Sequence, residues 1–579
     1  MVRSILQKSP LSGNSGVHVA IPCTRREKIV VALLFLAVLV LRLVYIFRYR
    51  VDSDEPQHLF VVWQWSQGLV AYRDFFDNHA PLFPILMTPV LKWLGERADI
   101  LDHARLFMVP FFLLSLGAVH WLGKVLFSER VGLWTPIIAG ALPNYLFPTI
   151  EFRPDNLWAA VWLLALAVLI SGRPSLPRSF IAGLLAGISL SASIKTGLLI
   201  GALAGAAGVA FLVAPAIWRE FKLARFLANI ASALAGFVVV PGMLVVFLAR
   251  QGALADMKYC IFQHNILPAG MHVEGRTPSW ILLALAVLIL TLIARILFRF
   301  WGNEGTAFRR TTVFLHAGLL LSVLELAWPV NTRQNYLPVY PLAMLILCVP
   351  LISAAERISS RSRISPASFL ACLVVAMLGW VMLARPITID QTLPEYHLIA
   401  EALALTHPDE YIMTHKGEAV FRPRPYYYVL EPFTRARLNN GLLPDEISDR
   451  LVATRTCVAM TITHRLPPGA RHFIEDNYIP VGQLRVVGKK LPAPDREGNI
   501  RFTIKIPADY TLVMEGGEGI IVQLDGKPFS KSAFMEAGDH VLRIPGKEPA
   551  ATLLWTRAVQ HGFQPLPPDY QPEKIGSEF

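Results

Sequence analysis

Long apolar runs alternate with short polar loops over the first 385 residues of the chain. The first run, residues 29–47, has about 20 residues, which at 1.5 Å per residue spans a hydrocarbon core of roughly 30 Å. The pattern predicts an α-helical polytopic membrane protein with about 11 transmembrane helices. The ten further runs are residues 105–127, 131–150, 156–171, 179–194, 196–217, 226–249, 279–298, 311–330, 337–353 and 367–385.

Composition and charge agree with this pattern. The 579 residues are 54% hydrophobic and only 17% charged, and the net charge is +12. Lys and Arg collect in alternate loops, which places residues 1–27 in the cytoplasm by the positive-inside rule. Because the positive charge is dispersed among these loops, the sequence argues against nucleic acid as a partner. The groups are Arg130, then Arg173 and Arg178, then Arg219, Lys222 and Arg225, then Arg295 to Arg310, then Arg357 to Arg363.

The last part of the chain has a different texture, with more Pro, Gly and charge. An odd number of spans puts residues 386–579 outside, so residues 28–385 form a transmembrane domain with a first outer loop at 48–104. Residues 395–480 read as mixed α/β, and alternation predicts a small β-sandwich-like unit after them. The sequence does not decide whether Cys260 and Cys457 form a disulfide, because it does not give the distance between them. The predicted strands are residues 501–506, 513–515, 519–524 and 540–544.

Threading the spans places the unusual polar residues on one membrane face. Carboxylates can activate a hydroxyl and cations can hold an anionic leaving group, so their convergence predicts an active site there. Residues 56–67 are predicted to form a short helix along the membrane. The residues in these outer loops are Asp52, Asp54, Glu55, His79, Glu151, Arg153, Asp155, Lys195, His264, Arg276, Arg333 and Tyr336.

Several loop motifs together resemble a known family. In order and topology they are similar to GT-C glycosyltransferases of the protein O-mannosyltransferase and lipid A aminoarabinose transferase type. The resemblance implies a bacterial inner-membrane enzyme, a hexosyl- or pentosyltransferase of inverting type. It would move a sugar from a polyprenyl phosphate to a hydroxyl of lipid A, lipopolysaccharide, another glycan or a protein. The motifs are Asp54-Glu55, Gly68 to Asp74, His79 to Leu82, Glu151 to Asp155, Ser193 to Gly197 and Arg333 to Pro338.

The resemblance also ranks the candidate site residues. Asp54 matches the position of the acidic base, and Glu55 is the second candidate. Asp52 is expected at the rim of the cavity or as a helix N-cap. The donor phosphate is expected to be held by Lys195, Arg276 and Arg333. The alternative is that each of these side chains only contacts the lipid headgroups at the membrane interface. The expected substrate-binding residues are Asp52, His79, Glu151, Arg153, Asp155, His264 and Tyr336.

Some alternatives stay open at this stage. Glu151 and Asp155 either orient the acceptor or support Arg153 and Lys195 as ion-pair partners. No cofactor is expected, although Asp52 and Asp54 could supply oxygen ligands to a divalent metal. A transporter or flippase of lipid-linked sugars is the competing function, but such proteins often show internal repeats, which this sequence lacks.

Overall fold

The computed structural model describes residues 23–214, 222–266, 268, 278–301, 303–328, 332–362, 364–514, 522–544, 551–567 and 569–574. Up to residue 385 the described chain is helical. Its helices are α1 (Arg25–Ile46), α2 (Glu55–Ser66), α3 (Leu82–Leu94), α4 (Ile100–Leu106), α5 (Val109–Leu126), α6 (Glu129–Ala141), α7 (Pro143–Leu146), α8 (Pro154–Ile170), α9 (Leu176–Ala192), α10 (Thr196–Val213), α11 (Leu223–Phe237), α12 (Val239–Arg250), α13 (Leu254–Lys258), α14 (Trp280–Phe298), α15 (Glu304–Leu326), α16 (Val339–Ser359) and α17 (Pro366–Ala384). A π-helical turn, Tyr259–Gln263, and a 3₁₀ turn, Arg333–Tyr336, complete this part.

Eight helices of the described chain are long and apolar enough to cross a membrane. Of the other predicted runs, 156–171 and 179–194 form α8 and α9, which have 17 residues each. Run 131–150 is split into α6 and α7 because Leu142 is extended before Pro143. The predicted class of α-helical polytopic membrane protein is confirmed. The eight are Arg25–Ile46, Ile100–Leu126, Thr196–Val213, Leu223–Arg250, Trp280–Phe298, Glu304–Leu326, Val339–Ser359 and Pro366–Ala384.

The least covered of these helices present apolar side chains to their surroundings. Only 6% of the most apolar stretch is buried in α11 with α12, and the same fraction is buried in α14. Side chains such as Met243 and Ile281 are 67% and 84% exposed. A contiguous apolar surface of this size is unfavourable in water and is matched by lipid, so the protein is a multi-pass membrane protein.

The C-terminal part is mixed α/β and ends in two sheets. The helices are α18 (Leu393–Leu405), α19 (Pro432–Asn439), α20 (Ile447–Ala453), α21 (Pro468–Asn477) and α22 (Thr556–Gln560). The strands are β1 (Ile412–Met413), β2 (Val458–Met460), β3 (Tyr478–Pro480), β4 (Leu484–Lys490), β5 (Asn499–Ile504), β6 (Ala508–Met514), β7 (Val522–Leu524), β8 (Lys527–Phe529), β9 (Ser532–Met535), β10 (Gly538–Arg543) and β11 (Ala551–Trp555). A mixed seven-stranded sheet has the order β1-β2-β4-β11-β6-β9 with β3 beside β4, and an antiparallel sheet has the order β5-β10-β7-β8.

The predicted strands correspond to β5, the end of β6, β7 and β10, whereas the parts of the prediction at 515 and 519–521 lie outside the described residues. Phe502 of β5 and Leu554 of β11 are buried side chains of the two sheets. The C-terminal part is therefore rich in sheet, as the alternation predicts. All five cysteines are free, so Cys260 and Cys457 do not form a disulfide.

A buried ion pair fixes the start of residues 48–104, the predicted first outer loop. Arg105 donates to both oxygens of Glu55, at 2.7 and 2.6 Å, and to the carbonyls of Ile46 and Tyr49, at 3.1 and 2.8 Å. Both charged side chains are fully buried. Glu55 also accepts the backbone N–H of Phe152 at 2.8 Å. The pair therefore ties α2, the end of α1 and the segment before α8 together.

The segment before α8 has a second anchor inside the membrane part. Arg42 of α1 is fully buried, stacks on Phe112 with 4.4 Å from its guanidinium carbon to the ring centre, and donates to Thr149. Its two hydrogen bonds reach the Thr149 hydroxyl at 2.7 Å and the Thr149 carbonyl at 2.5 Å. Arg42 thus points into the helix bundle, where it holds the non-helical segment that leads to Arg153.

Replacing Arg105 tests the role of the buried pair. Arg105→Met leaves the Glu55 charge buried without its partner, so we expect a loss of stability of about 3–5 kcal/mol. Arg73→Met removes an exposed pair with Asp74 and should cost less than about 1 kcal/mol. Thermal unfolding of the detergent-purified proteins measures both changes. A loss for Arg105→Met no larger than that of Arg73→Met would contradict this account.

Candidate active site

Three helix N-termini bring charged side chains together. Asp54 is the N-cap residue of α2, Arg153 that of α8, and Lys195 that of α10. Pro56 and Pro154 occupy the first turns of α2 and α8, where proline is favoured because its missing N–H has no helical partner. The local sequence therefore starts each helix directly after a charged residue.

Arg153 is the centre of this charge cluster. Its Nη1 lies 2.6 Å from Asp52 Oδ1 and 2.9 Å from Asp54 Oδ2, and its Nε lies 3.3 Å from Asp155 Oδ2. The Arg153 side chain is only 7% exposed. A cation buried to this extent needs such partners because its transfer from water is costly.

Lys195 extends the cluster towards the 3₁₀ turn. Its Nζ lies 2.6 Å from Asp155 Oδ1, 2.9 Å from Asn335 Oδ1 and 5.3 Å from the centre of a Trp158 ring. The side chain remains 24% exposed. Arg333, on the same 3₁₀ turn as Asn335, is exposed. Arg276 lies outside the described residues.

Asp54 is the most accessible carboxylate of the cluster. Its side chain is 27% exposed, against 5% for those of Asp52 and Asp155. Burial alone would raise the pKa of Asp54, but the Lys416 ammonium and the Arg153 guanidinium hold that pKa well below its usual range. Asp54 is therefore ionised at neutral pH.

The other acidic candidates are placed differently from the expectation. Glu55 is fully buried on Arg105, so it has no surface from which to reach a substrate. Asp52 does not lie at the rim of a cavity. It is 3% exposed and accepts the N–H of Asp54 at 3.1 Å, while Asp54 occupies the N-cap position.

Glu151 is also buried, and its carboxylate accepts a hydrogen bond from Gln334 at 2.5 Å. Burial and then the Asp52 charge raise the pKa of Glu151 well above its usual range.

One histidine, His58, lies next to Asp54, and a second, His79, packs against it. His58 follows one turn later on α2, where its N–H donates to the Asp54 carbonyl at 3.0 Å. Its ring packs edge-on against His79, with 4.6 Å between ring centres, and His79 Nδ1 lies 2.9 Å from Asp77 Oδ1. His58 Nε2 is buried and has no hydrogen-bond partner among the described residues. Burial, then His79 and Arg153, hold the pKa of His58 well below its usual range, so the ring is neutral.

His264 and Tyr336 have other partners. His264 is fully buried, and its Nε2 lies 3.0 Å from both Glu431 Oε1 and Thr434 Oγ1 of the C-terminal part. With no exposed surface, it joins two parts of the protein instead of contacting substrate as expected. The Tyr336 hydroxyl donates to Glu325 at 2.7 Å, and Tyr336 is the last residue of the 3₁₀ turn that begins at Arg333.

Sequence reasoning missed three residues of the cluster. Asn335 lies inside the motif from Arg333 to Pro338, and His58 follows Asp54 at the helical spacing of four. The sequence therefore carried a signal for both residues. The sequence carried no signal for Lys416, because it is 362 residues from its partner Asp54.

Among the described residues no group of three or more His, Cys, Asp or Glu could hold a metal, and Arg153 lies between Asp52 and Asp54. In this structure the Arg153 guanidinium therefore occupies the position between these two carboxylates.

Comparison with known proteins addresses the fold. No family model matches the sequence, and none of the curated proteins matches it. Two solved structures of ArnT from Cupriavidus metallidurans, one bound to undecaprenyl phosphate and one in the apo state, are each 15% identical to this chain. Each match covers 79% of this chain and 97% of the matched chain, with TM-scores of 0.51 and 0.52. The chain therefore has the fold of the GT-C membrane enzymes that its loop motifs resemble.

Proposed function

We propose that the protein is an inverting membrane glycosyltransferase that moves a sugar from a polyprenyl phosphate to a hydroxyl of an envelope acceptor. One observation carries the proposal. The part-exposed carboxylate of Asp54 is linked through Arg153 and Asp155 to the part-exposed ammonium of Lys195. A carboxylate for the hydroxyl proton and a cation for the phosphate are the groups that this transfer needs.

In the proposed reaction the acceptor oxygen attacks the anomeric carbon while the bond from that carbon to the phosphate oxygen breaks. The acceptor proton passes to Asp54, and polyprenyl phosphate leaves with both electrons of the broken bond. The low pKa of Asp54 keeps it ionised and able to accept. Such a weak base suffices because the acceptor oxygen becomes strongly acidic as its new bond forms. No step uses a metal.

Lys195 is the proposed contact for the donor phosphate. An ammonium has three donors, and among the described residues Asp155 and Asn335 take two of them. The third is left for a phosphate oxygen. The N-terminus of α10 also favours negative charge, and the exposed Arg333 lies on the 3₁₀ turn next to Asn335. The solved ArnT of the same fold holds undecaprenyl phosphate, which supports a lipid of this class.

His58 and His79 would contact the transferred sugar. His58 follows Asp54 by one turn of α2, and its Nε2 has no hydrogen-bond partner among the described residues. A sugar hydroxyl offers both a donor and an acceptor to this atom. His79 is 32% exposed and oriented by Asp77. A neutral imidazole suits this position because it places no further positive charge beside Arg153.

We place the protein in a bacterial inner membrane, with its N-terminus in the cytoplasm and its C-terminal part on the outer face. The alternation of Lys- and Arg-rich loops supports this orientation. The acceptor would then be lipid A or lipopolysaccharide, another envelope glycan, or a protein, and the transferred group a hexose or pentose.

Asp54→Asn tests the proposed base. Purified protein in proteoliposomes is incubated with radiolabelled polyprenyl-phosphate sugars and envelope acceptors, and transfer is counted. We expect kcat to fall by about 10²–10⁴-fold, since the amide cannot accept the proton. Asp99→Asn, which changes a part-buried carboxylate paired with Arg97 in the same loop, should leave transfer unchanged. Transfer by Asp54→Asn at the wild-type rate would remove Asp54 as the base.

Lys195→Met tests the phosphate site. We expect the Kd for undecaprenyl phosphate to rise by about 30-fold or more, because a desolvated charge partner of the phosphate is lost. Lys92→Met, in α3, is the control and should bind as the wild type does. Titration of the purified variants with the lipid measures both constants. An unchanged Kd for Lys195→Met would place the phosphate elsewhere.

A further inference from the structure

Residues 414–418 of the C-terminal part reach the first outer loop at Asp54. Lys416 Nζ lies 2.5 Å from Asp54 Oδ1 and 3.5 Å from Ser53 Oγ, and the Lys416 side chain is only 8% exposed. The other oxygen, Asp54 Oδ2, lies 2.9 Å from Arg153. Each oxygen of the carboxylate therefore has a cation of its own, one from the membrane part and one from the C-terminal part.

The segment that carries Lys416 is held by its own hydrogen bonds. The N–H of Gly417 donates to Thr414 Oγ1 at 3.0 Å, and the N–H of Lys416 donates to Glu418 Oε2 at 2.7 Å. The buried Arg424 donates to the Thr414 carbonyl from Nε and Nη2, at 3.1 and 2.9 Å. These bonds define the backbone around Lys416 without any substrate.

A close approach to α2 fixes where this segment lies. Gly417 has a φ of +94° and packs against Phe60 of α2, where an added Cβ would be only 2.4 Å from the ring. Glycine tolerates this backbone conformation and has no Cβ to clash with the ring. Lys416 is therefore presented to Asp54 by a segment that touches the same helix that Asp54 caps.

We propose that Lys416 is a positioning residue through which the C-terminal part of the chain sets the orientation of the Asp54 carboxylate. This inference rests on the proposed function and deepens it, since it makes the C-terminal part a component of the catalytic site. Two cations on opposite oxygens restrict rotation of the carboxylate, so the lone pair facing the acceptor keeps its direction. Without Lys416, Asp54 keeps one cation and can turn.

Kinetics of Lys416→Met and Lys416→Arg test this role. We expect kcat of Lys416→Met to fall by about 10²-fold with little change in the donor KM, because misorientation affects the reacting geometry. The cation also depresses the pKa of Asp54, so removing it should move the acid limb of the kcat profile to higher pH. Lys416→Arg should restore most of the rate. Lys490→Met, at the exposed end of β4, should match the wild type.

A double-mutant cycle on melting temperature gives a readout that does not depend on activity. Lys416→Met should lower the melting temperature of the wild type but have a smaller effect in an Asp54→Asn background. Equal effects in both backgrounds, or a wild-type pH profile for Lys416→Met, would overturn the inference. A wild type that transfers no sugar from any polyprenyl-phosphate donor would refute the proposed function, whereas the cycle would still decide whether Lys416 holds Asp54.

Discussion

The buried guanidinium of Arg153 is the constraint on which the candidate site depends. Its contacts with Asp52, Asp54 and Asp155 join the loop after α1 to the start of α8. With Lys195 and Lys416 the cluster has three cations and three carboxylates, so its charges balance. Because an unpaired buried charge costs several kcal/mol, each member holds its neighbours in place. Its most accessible carboxylate, Asp54, and its most accessible cation, Lys195, are the groups proposed to react and to bind.

A second layer of arginines holds the backbone behind this cluster. Arg105 binds Glu55 and the carbonyls at the end of α1, while Arg42 binds Thr149. Both are fully buried and neither reaches the cluster, so they act by fixing the two segments that carry the aspartates and Arg153. This division explains why two adjacent residues have different roles: Glu55 belongs to the supporting layer and Asp54 to the charge cluster.

The sequence was sufficient for the features that lipid imposes. Apolar runs predicted the membrane helices because a bilayer demands apolar spans with internally bonded backbones. The resemblance ranked Asp54 before Glu55, but the residues alone could not separate them, because adjacent helical residues point about 100° apart and packing decides which side is buried. The sequence misjudged His264 because its partners Glu431 and Thr434 lie 167 and 170 residues further along the chain. Lys416 needed the tertiary structure, since only the packing of Gly417 on Phe60 brings it to Asp54.

We propose that this charge cluster receives a lipid-linked phosphate next to a carboxylate. A cryo-EM structure of the protein in nanodiscs with undecaprenyl phosphate bound tests this proposal. We expect the phosphate within hydrogen-bonding distance of Lys195, beside the 3₁₀ turn of Arg333. A phosphate bound away from Lys195, with the cluster unchanged, would contradict it.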